Sequence, residues 1–187
     1  STSAPAMQRV VIDTSVLAGL QQGTAFFAST TVFAIGGSFA LLNSSAQVIA
    51  VTSSLPVSIP ASQTMFETKA ALLLLIYCYA FFKFAWSYRL QNYCSILVGA
   101  VPLVLNGHEI TAEVKSAAAK ALKFNNLAGT HFNAGLRAVF FSIGFIGWFA
   151  GPYVFIGSTL FILTVLVLRQ FFSRARAALL PGADNGQ

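Results

Sequence analysis

The chain has 187 residues and a formal net charge of +6, with 56% hydrophobic and only 9% charged residues. Because a soluble domain is usually about one quarter charged, this composition excludes an ordinary soluble globular protein. The basic residues are scattered beside hydrophobic blocks, which excludes a nucleic-acid-binding surface and is typical of residues that flank membrane spans.

The first predicted membrane span covers residues 22–42. No charged residue occurs within residues 14–66, and about 20 apolar residues are needed to cross roughly 30 Å of hydrocarbon. The Ser-rich segment that follows contains Pro56 and Pro60. It predicts an exterior loop with one short interfacial helix before Leu55.

The second predicted span covers residues 66–88. Its last third is rich in Tyr, Phe and Trp and contains Lys83, with Arg89 just beyond it. Tyr and Trp favour the boundary between hydrocarbon and headgroups, and a lysine can extend its ammonium group to that boundary. This end of the span is therefore predicted to lie at a membrane surface.

Residues 93–129 are predicted to form an interfacial and amphipathic region between the second and third spans. Its apolar run is only about ten residues long and contains Pro102, so it is too short to cross a bilayer. Asn106 and Glu109 have the spacing of a capping box and predict the start of a helix, and Gly129 is its expected stop. The helix is predicted to lie on the cytoplasmic leaflet or on the bundle, because its lysines lie off the apolar stripe. These are Lys115, Lys120 and Lys123.

Two further predicted spans, residues 132–150 and 153–172, are separated only by Gly151 and Pro152 and must form a tight antiparallel hairpin. With both termini inside, ten Lys and Arg residues fall on the cytoplasmic side and Lys69 alone falls outside. Such a bias is expected, because cytoplasmic segments carry an excess of these residues. The sequence thus predicts an all-α integral membrane bundle of four transmembrane helices plus a cytoplasmic amphipathic helix, in a single membrane domain.

No catalytic, metal-binding or cofactor-binding site is predicted. His108 and Glu109 begin like the HExxH motif of zinc proteases, but Ala112 stands where the second histidine is needed. No carboxylate lies inside a predicted span, whereas proton-coupled carriers usually need a titratable group there. Cys78 and Cys94 are predicted to be free thiols, because they differ in depth and cytoplasmic thiols stay reduced. The expectation is a protein that is not an enzyme.

Two sets of residues are candidate sites. The first is a basic and polar cluster on the cytoplasmic side, which either contacts a lipid or ligand phosphate or only anchors and locks the bundle. Its members are Lys83, Trp86, Arg89, His131, Asn133 and Arg137. The second is a set of small residues that lets helices approach closely, either within the fold or on a face for another membrane protein. Its members are Gly144, Gly147 and Gly151.

Three stretches of the sequence resemble the DUF599 family of membrane proteins. They are LAGLQQGTAFFASTT at the first span, YAFFKFAWSYRLQNYCSIL at the end of the second, and the segment from HFNAGLRAVFF to WFAGPYVF in the last hairpin. Members of the family typically carry one more hydrophobic segment ahead of this region, so the chain is either partial or a short member. Because the family has no established activity, the resemblance implies a fold and a bacterial inner-membrane location but no function.

The leading functional hypothesis is a non-catalytic accessory or structural subunit of the inner membrane, such as one attached to a larger respiratory or photosynthetic complex. It rests on the apolar spans and the small-residue faces. The alternative is a small-solute or lipid-handling transporter with a basic pocket on the cytoplasmic side. The expected partners are the lipid bilayer and either other membrane-protein subunits or further copies of the chain, without nucleic acid. Both visible termini are expected in the cytoplasm.

Overall fold

The computed structural model describes residues 4–53, 62–100 and 112–171, and the side chains of residues 15–51, 62–99, 112 and 115–168. This part of the chain is all-α, as predicted, and forms five helices. They are α1 (Ala4–Asn43), α2 (Ser45–Ser53), α3 (Gln63–Ala100), α4 (Ala112–Ala150) and α5 (Pro152–Phe171). The helix α2 lies in the segment where a short helix was expected before Leu55.

Three segments of these helices are long and apolar enough to cross a membrane, which makes the chain a helical multi-pass membrane protein. They are Ser15–Asn43, Gln63–Gly99 and Lys115–Ala150. Each is longer than the span predicted within it. The described part of α5 contains a shorter apolar helix, Pro152–Leu168, so a fourth crossing stays a prediction.

The prediction that Gly129 ends a helix is wrong. Helix α4 runs through Gly129 without a break, so the predicted amphipathic helix and the predicted third span are one element. A glycine ends a helix by adopting a positive φ, and among the described residues only Gly151 does so. Inside a helix, glycine costs about 1 kcal/mol relative to alanine, so one glycine does not by itself end a helix of 39 residues. Residues 93–100 likewise continue α3, and Asn106 lies outside the described residues.

The helices are distributed over two compact units, and α1, α3 and α4 contribute to both. Unit 1 contains α1 up to Gly37, α3 from Leu74 and α4 up to Ala138. Unit 2 contains α1 from Ser38, α2, α3 up to Leu73, α4 from Val139 and α5. The predicted basic and polar cluster therefore falls in unit 1, and the three candidate glycines fall in unit 2.

Small residues at seven-residue intervals line the buried sides of two helices of unit 1. On α4 they are Ala121, Ala128 and Gly135, and on α1 they are Thr24 and Thr31. A seven-residue repeat keeps one side of a helix against a neighbour that crosses it at about 20°. Small residues at that seam let the backbones approach closely, which is how helices associate in a membrane.

Two side-chain hydrogen bonds show how closely α3 and α4 pack in unit 1. Ser87 Oγ donates to the carbonyl oxygen of Ala128 at 2.8 Å, and the Cys94 thiol donates to that of Ala121 at 3.4 Å. Residue numbers rise along α3 while they fall along α4, so the two helices are antiparallel. Both bonds reach the backbone of α4 because its residues at these points are alanines.

In unit 2, Gly151 alone separates α4 from α5. Its φ is 144°, its N–H donates to the carbonyl of Gly147, and its own carbonyl accepts from the N–H of Phe155. It thus closes the last turn of α4 and also serves as the N-cap of α5. Pro152 takes the first helical position, where its missing N–H costs nothing. The tight connection predicted from Gly151 and Pro152 is confirmed.

Candidate functional site

Arg89 is held on the surface of α3 by two aromatic side chains of the same helix. Its guanidinium carbon lies 5.8 Å from the centre of a Trp86 ring and 5.7 Å from that of the Tyr93 ring. Its Nε also donates a 2.9 Å hydrogen bond to the hydroxyl of Tyr93. Cation–π contacts at such distances are favourable, and the hydrogen bond fixes the orientation of the guanidinium group.

Lys83 and His131 extend this group of residues. The His131 ring centre, on α4, lies 6.5 Å from that of Trp86, and Lys83 interacts electrostatically with His131. The Lys83 ammonium nitrogen also lies 5.2 Å from the centre of the Tyr79 ring. Four of the six predicted members are therefore brought together with two tyrosines. We call the set the aromatic–basic cluster: Tyr79, Lys83, Trp86, Arg89, Tyr93 and His131.

Asn133 and Arg137 do not join this cluster. Both are exposed, and neither makes a hydrogen bond, an ion pair or a ring contact with the described residues. At 3.6 residues per turn they lie on the side of α4 opposite the buried Gly135, in line with Asn126 and Thr130. All four are exposed, and the Thr130 hydroxyl donates to the backbone carbonyl of Asn126. We call this row of four the polar stripe of α4.

The described side chains of unit 1 carry positive charge without any acidic residue. Residues 15–37, 74–99 and 115–138 include six Lys and Arg residues and no Asp or Glu. Lys83 is half-buried, and the other five are exposed. Since all the charged side chains that the structure describes in this unit are positive, this part of the surface favours anionic partners.

A polar cluster between α1 and α3 was missed from the sequence. Gln91 is buried, and its Nε2 donates to the Thr24 hydroxyl at 3.0 Å. Gln21 Nε2 donates to Asn92 Oδ1 at 3.1 Å and to the Ser95 hydroxyl at 2.8 Å. The Oε1 atom of Gln91 is buried and has no hydrogen-bond partner in the described part of the chain. These side chains fix the register of α1 against α3, because each bond is made at only one register.

Three phenylalanine rings and a glycine pack together inside unit 1. Phe84 is fully buried, and its ring centre lies 5.5 Å from that of Phe27 and 5.6 Å from that of Phe132. A Cβ atom at Gly135 would lie 2.8 Å from Cε1 of Phe84, so the ring fills the space that the glycine leaves. The rings come from α1, α3 and α4, one from each of the three stretches that resemble DUF599. Those stretches therefore meet in this packing.

Gly144 and Gly147 face α5 within unit 2. A Cβ atom at Gly144 would lie 3.4 Å from the Cα of Thr159, and one at Gly147 would overlap the Ser158 hydroxyl. That hydroxyl donates to the carbonyl of Gly144 at 2.8 Å. Of the two expectations for these glycines, the geometry favours packing within the chain. Gly151 does not belong to this face, because it forms the turn.

Lys69, which the charge bias predicts to lie outside the membrane, makes contacts with Trp148 that the sequence does not predict. Its side chain is only 8% exposed, and its Nζ lies 2.9 Å from the carbonyl oxygen of Trp148 and 5.0 Å from the centre of a Trp148 ring. Glu67 is the one acidic residue whose side chain the structure describes. It accepts hydrogen bonds from Ser45 and Gln63 instead, so a backbone carbonyl takes the place of a carboxylate beside Lys69.

Cys78 and Cys94 are free thiols, as predicted. Across the described residues, no group of three or more His, Cys, Asp and Glu side chains lies close enough together to hold a metal ion.

Residues 3–175 match the family described as "Protein of unknown function, DUF599". The match includes every residue of the aromatic–basic cluster, the polar stripe of α4 and the contacts of unit 2 described above. Neither a curated protein nor a solved structure matches the chain. What the sites do must therefore be argued from their own chemistry.

Proposed function

The chain belongs to the DUF599 family, and we propose that it acts as a non-catalytic accessory or structural subunit that packs against another protein in the bacterial inner membrane. One observation carries this proposal. Arg137 is exposed on a candidate membrane span and has no bonding partner among the described residues. A larger respiratory or photosynthetic complex is the kind of assembly that such a subunit would join.

The position of Arg137 along α4 makes its exposure costly. It lies thirteen residues before Ala150, the last residue of the helix, which corresponds to about 20 Å of helix. If the hydrocarbon begins at the end of α4, Arg137 lies about 10 Å inside the opposite boundary of a core roughly 30 Å thick. An arginine near the centre of a span costs about 2.5–3.5 kcal/mol on insertion scales. A hydrogen-bonding partner from another chain would offset this cost.

The other residues of the polar stripe support the same proposal. Asn126, Thr130, Asn133 and Arg137 are spaced by four, three and four residues, which is the spacing of a helix that packs along a second helix. By the same measure Asn133 also lies inside the hydrocarbon, where an exposed amide costs free energy, and amides stabilise helix pairs when they bond across an interface. The stripe therefore has the chemistry of a helix–helix interface that the described part of the chain leaves uncovered.

The partner is expected to present hydrogen-bond acceptors at the depth of Arg137. A symmetric pair of chains inserted in the same direction would place two Arg137 side chains near each other, and their like charges would repel. A different membrane protein with a carboxylate, amide or carbonyl acceptor at this depth fits better. The proposal therefore favours a heteromeric assembly over a homo-oligomer.

The orientation of the chain is part of the proposal. It includes α5 as a fourth span and both termini in the cytoplasm, so that ten Lys and Arg residues lie in the cytoplasmic half of the membrane or beyond it, and Lys69 lies at the exterior end. The support is the excess of basic residues that cytoplasmic segments carry. The charge-poor segment between the first two spans would then be exterior.

The test compares tagged wild-type protein with Arg137→Leu after extraction of native membranes in a mild detergent. Native gel electrophoresis should show the wild type in an assembly with a second polypeptide at fixed stoichiometry. Arg137→Leu should run as the free chain, because leucine offers no donor. Lys120→Leu is the matched control: it removes an exposed cation of α4 that lies off the stripe, and it should leave the assembly intact. A wild type that runs alone, or as a homo-oligomer, would contradict the proposal.

A small-solute or lipid-handling transporter is the second candidate function, because unit 1 combines the aromatic–basic cluster with a buried Gln91 oxygen that has no hydrogen-bond partner among the described residues. Proteoliposomes with a fluorescent phospholipid distinguish the two functions. A subunit without transport activity leaves the inner-leaflet probe protected from externally added dithionite. Complete bleaching with the chain, but not with empty vesicles, would favour lipid handling.

A further inference from the structure

We propose that the aromatic–basic cluster binds the phosphate group of an anionic phospholipid, with Arg89 as the residue that contacts it. Arg89 and the two rings beside it lie on α3, and the cluster shares no residue with the polar stripe of α4, so this inference does not depend on the subunit proposal. The ligand chemistry is a phosphate ester, and its source is a lipid headgroup rather than free phosphate.

Arg89 is pre-oriented for this role. Its guanidinium carbon is flanked by Trp86 and Tyr93, and its Nε is bonded to the Tyr93 hydroxyl. The Nη groups donate to none of the described residues, so the planar end of the side chain is available. A guanidinium group binds two phosphate oxygens at once through parallel N–H groups. The aromatic contacts lower the entropy that the side chain would otherwise lose on binding.

The electrostatics of unit 1 favour an anionic lipid over a zwitterionic one. Six Lys and Arg side chains and no acidic ones are described in this unit. Lys83 lies six residues before Arg89, with Trp86 midway between them. The described charges of this unit are therefore all positive, and they favour a phosphate at Arg89 less when the headgroup carries its own cation.

The depth and the surroundings of Arg89 fit a lipid rather than a soluble anion. Arg89 lies twenty residues after Lys69 along α3, which is about 30 Å, the thickness of the hydrocarbon core. Trp86 is 50% exposed, and exposed Trp at this depth is typical of the headgroup boundary. Phe82 and Ile96 are exposed on the same side of the helix, where they can contact acyl chains.

The experiment uses the fluorescence of the two tryptophans of the chain, which lie at different depths in the proposed membrane orientation. Trp148→Phe leaves Trp86 as the reporter beside Arg89, and Trp86→Phe leaves Trp148 as the control. The purified full-length chain is placed in phosphatidylcholine vesicles that contain brominated phosphatidylglycerol or, in parallel, brominated phosphatidylcholine. Bromine quenches a nearby indole, so the ratio of the two quenching values measures the lipid preference.

For Trp86 we expect brominated phosphatidylglycerol to quench about twofold more than brominated phosphatidylcholine, whereas the two lipids should quench Trp148 equally. Arg89→Gln should abolish the preference of Trp86, and Arg89→Lys should restore only part of it. Lys115→Gln removes the same charge from another exposed position of unit 1 and should change little. Circular dichroism and monodispersity establish that each variant is folded.

Three results would overturn the proposal. Equal quenching of Trp86 by both lipids would mean that no anionic lipid is preferred at the cluster. A preference that survives Arg89→Gln would place the lipid elsewhere. A preference that is abolished by millimolar inorganic phosphate or glycerol phosphate would show that the site takes the free anion rather than the lipid.

Discussion

The ammonium group of Lys69 caps the C-terminal end of α4 through a 2.9 Å hydrogen bond to the carbonyl oxygen of Trp148. In an α-helix this carbonyl would accept from the N–H four residues later. That residue is Pro152, which has no N–H. Lys69 therefore satisfies an acceptor that the proline leaves without a backbone donor, and the negative end of the helix dipole stabilises its charge.

Replacing Lys69 with methionine should destabilise the protein by about 1–2 kcal/mol. A hydrogen bond to a charged group contributes about 1.5–3 kcal/mol, and part of this is regained because a buried cation is removed. The free energy of unfolding in mixed micelles is the measurement. Lys120→Met, at an exposed lysine of α4, should change it by less than about 0.5 kcal/mol. Equal stability of both variants and the wild type would show that the cap contributes nothing.

Gly135→Ala should destabilise unit 1 by about 1–3 kcal/mol, because the new methyl group would overlap the buried ring of Phe84. The matched change is Gly129→Ala on the same helix, where a Cβ atom meets nothing within 4 Å. That variant should be unchanged or up to about 1 kcal/mol more stable. Thermal unfolding in detergent checks both, and Phe84→Leu should partly rescue Gly135→Ala. A rescue that fails would mean that the overlap is not the cause.

Gly147→Leu should destroy the packing of α4 against α5 without requiring any partner chain. A Cβ atom at Gly147 would overlap the Ser158 hydroxyl and would lie 3.1 Å from the carbonyl oxygen of Val154, so α5 must move to accommodate a leucine. Gly157→Leu is the control, because nothing lies within 4 Å of a Cβ there. We expect the first variant to aggregate on size-exclusion chromatography and the second to elute like the wild type. A monodisperse Gly147→Leu would refute the internal-packing assignment.

Thr24 and Gln91 should be coupled energetically, since their side chains bond at 3.0 Å in a buried setting. In a double-mutant cycle of Thr24→Val and Gln91→Met, the coupling should be about 0.5–1.5 kcal/mol. The cycle Thr30→Val with Gln91→Met is the reference, because the exposed Thr30 hydroxyl bonds within its own helix. Its coupling should be close to zero. Equal coupling in both cycles would mean that the Thr24–Gln91 bond contributes no specific energy.

The proposed orientation predicts which probes react outside an intact cell. In a chain with Cys78→Ala and Cys94→Ser, an impermeant maleimide should label Thr64→Cys and should not label Ser116→Cys until the membrane is opened. Both positions are exposed in the structure, so a difference in labelling reports the side of the membrane rather than burial. The reverse pattern would invert the topology, and labelling of both from outside would contradict an antiparallel crossing by α3 and α4.

Much of the architecture could be predicted from composition and spacing. Long apolar stretches can satisfy their backbone groups in lipid only as helices, so the helical membrane fold follows from the sequence. The turn at Gly151 and Pro152 could also be predicted, because a glycine with a positive φ ends one helix and a proline that follows it begins the next. The prediction that a helix ends at Gly129 was wrong because a glycine ends a helix only when its backbone adopts a positive φ.

The candidate site was predicted only in part. Lys83, Trp86 and Arg89 follow one another at three-residue intervals on one helix, so their proximity follows from helical spacing. The sequence could not show that His131 contacts Trp86 while Arg137 points away from them, because that depends on the rotation of α4 about its axis.

The sequence by itself determined which stretches of these helices are apolar enough to cross a membrane, but only the tertiary structure decided which side of each helix faces its neighbours. In water, the hydrophobic side of a helix reveals its buried face. In lipid both faces are apolar, so this signal disappears. What remains is the seven-residue repeat of small residues, seen in Ala121, Ala128 and Gly135, because backbones held together by dispersion contacts must come close. This repeat predicts where a neighbouring helix comes close, but it does not identify the side chain that packs there, which at Gly135 is Phe84.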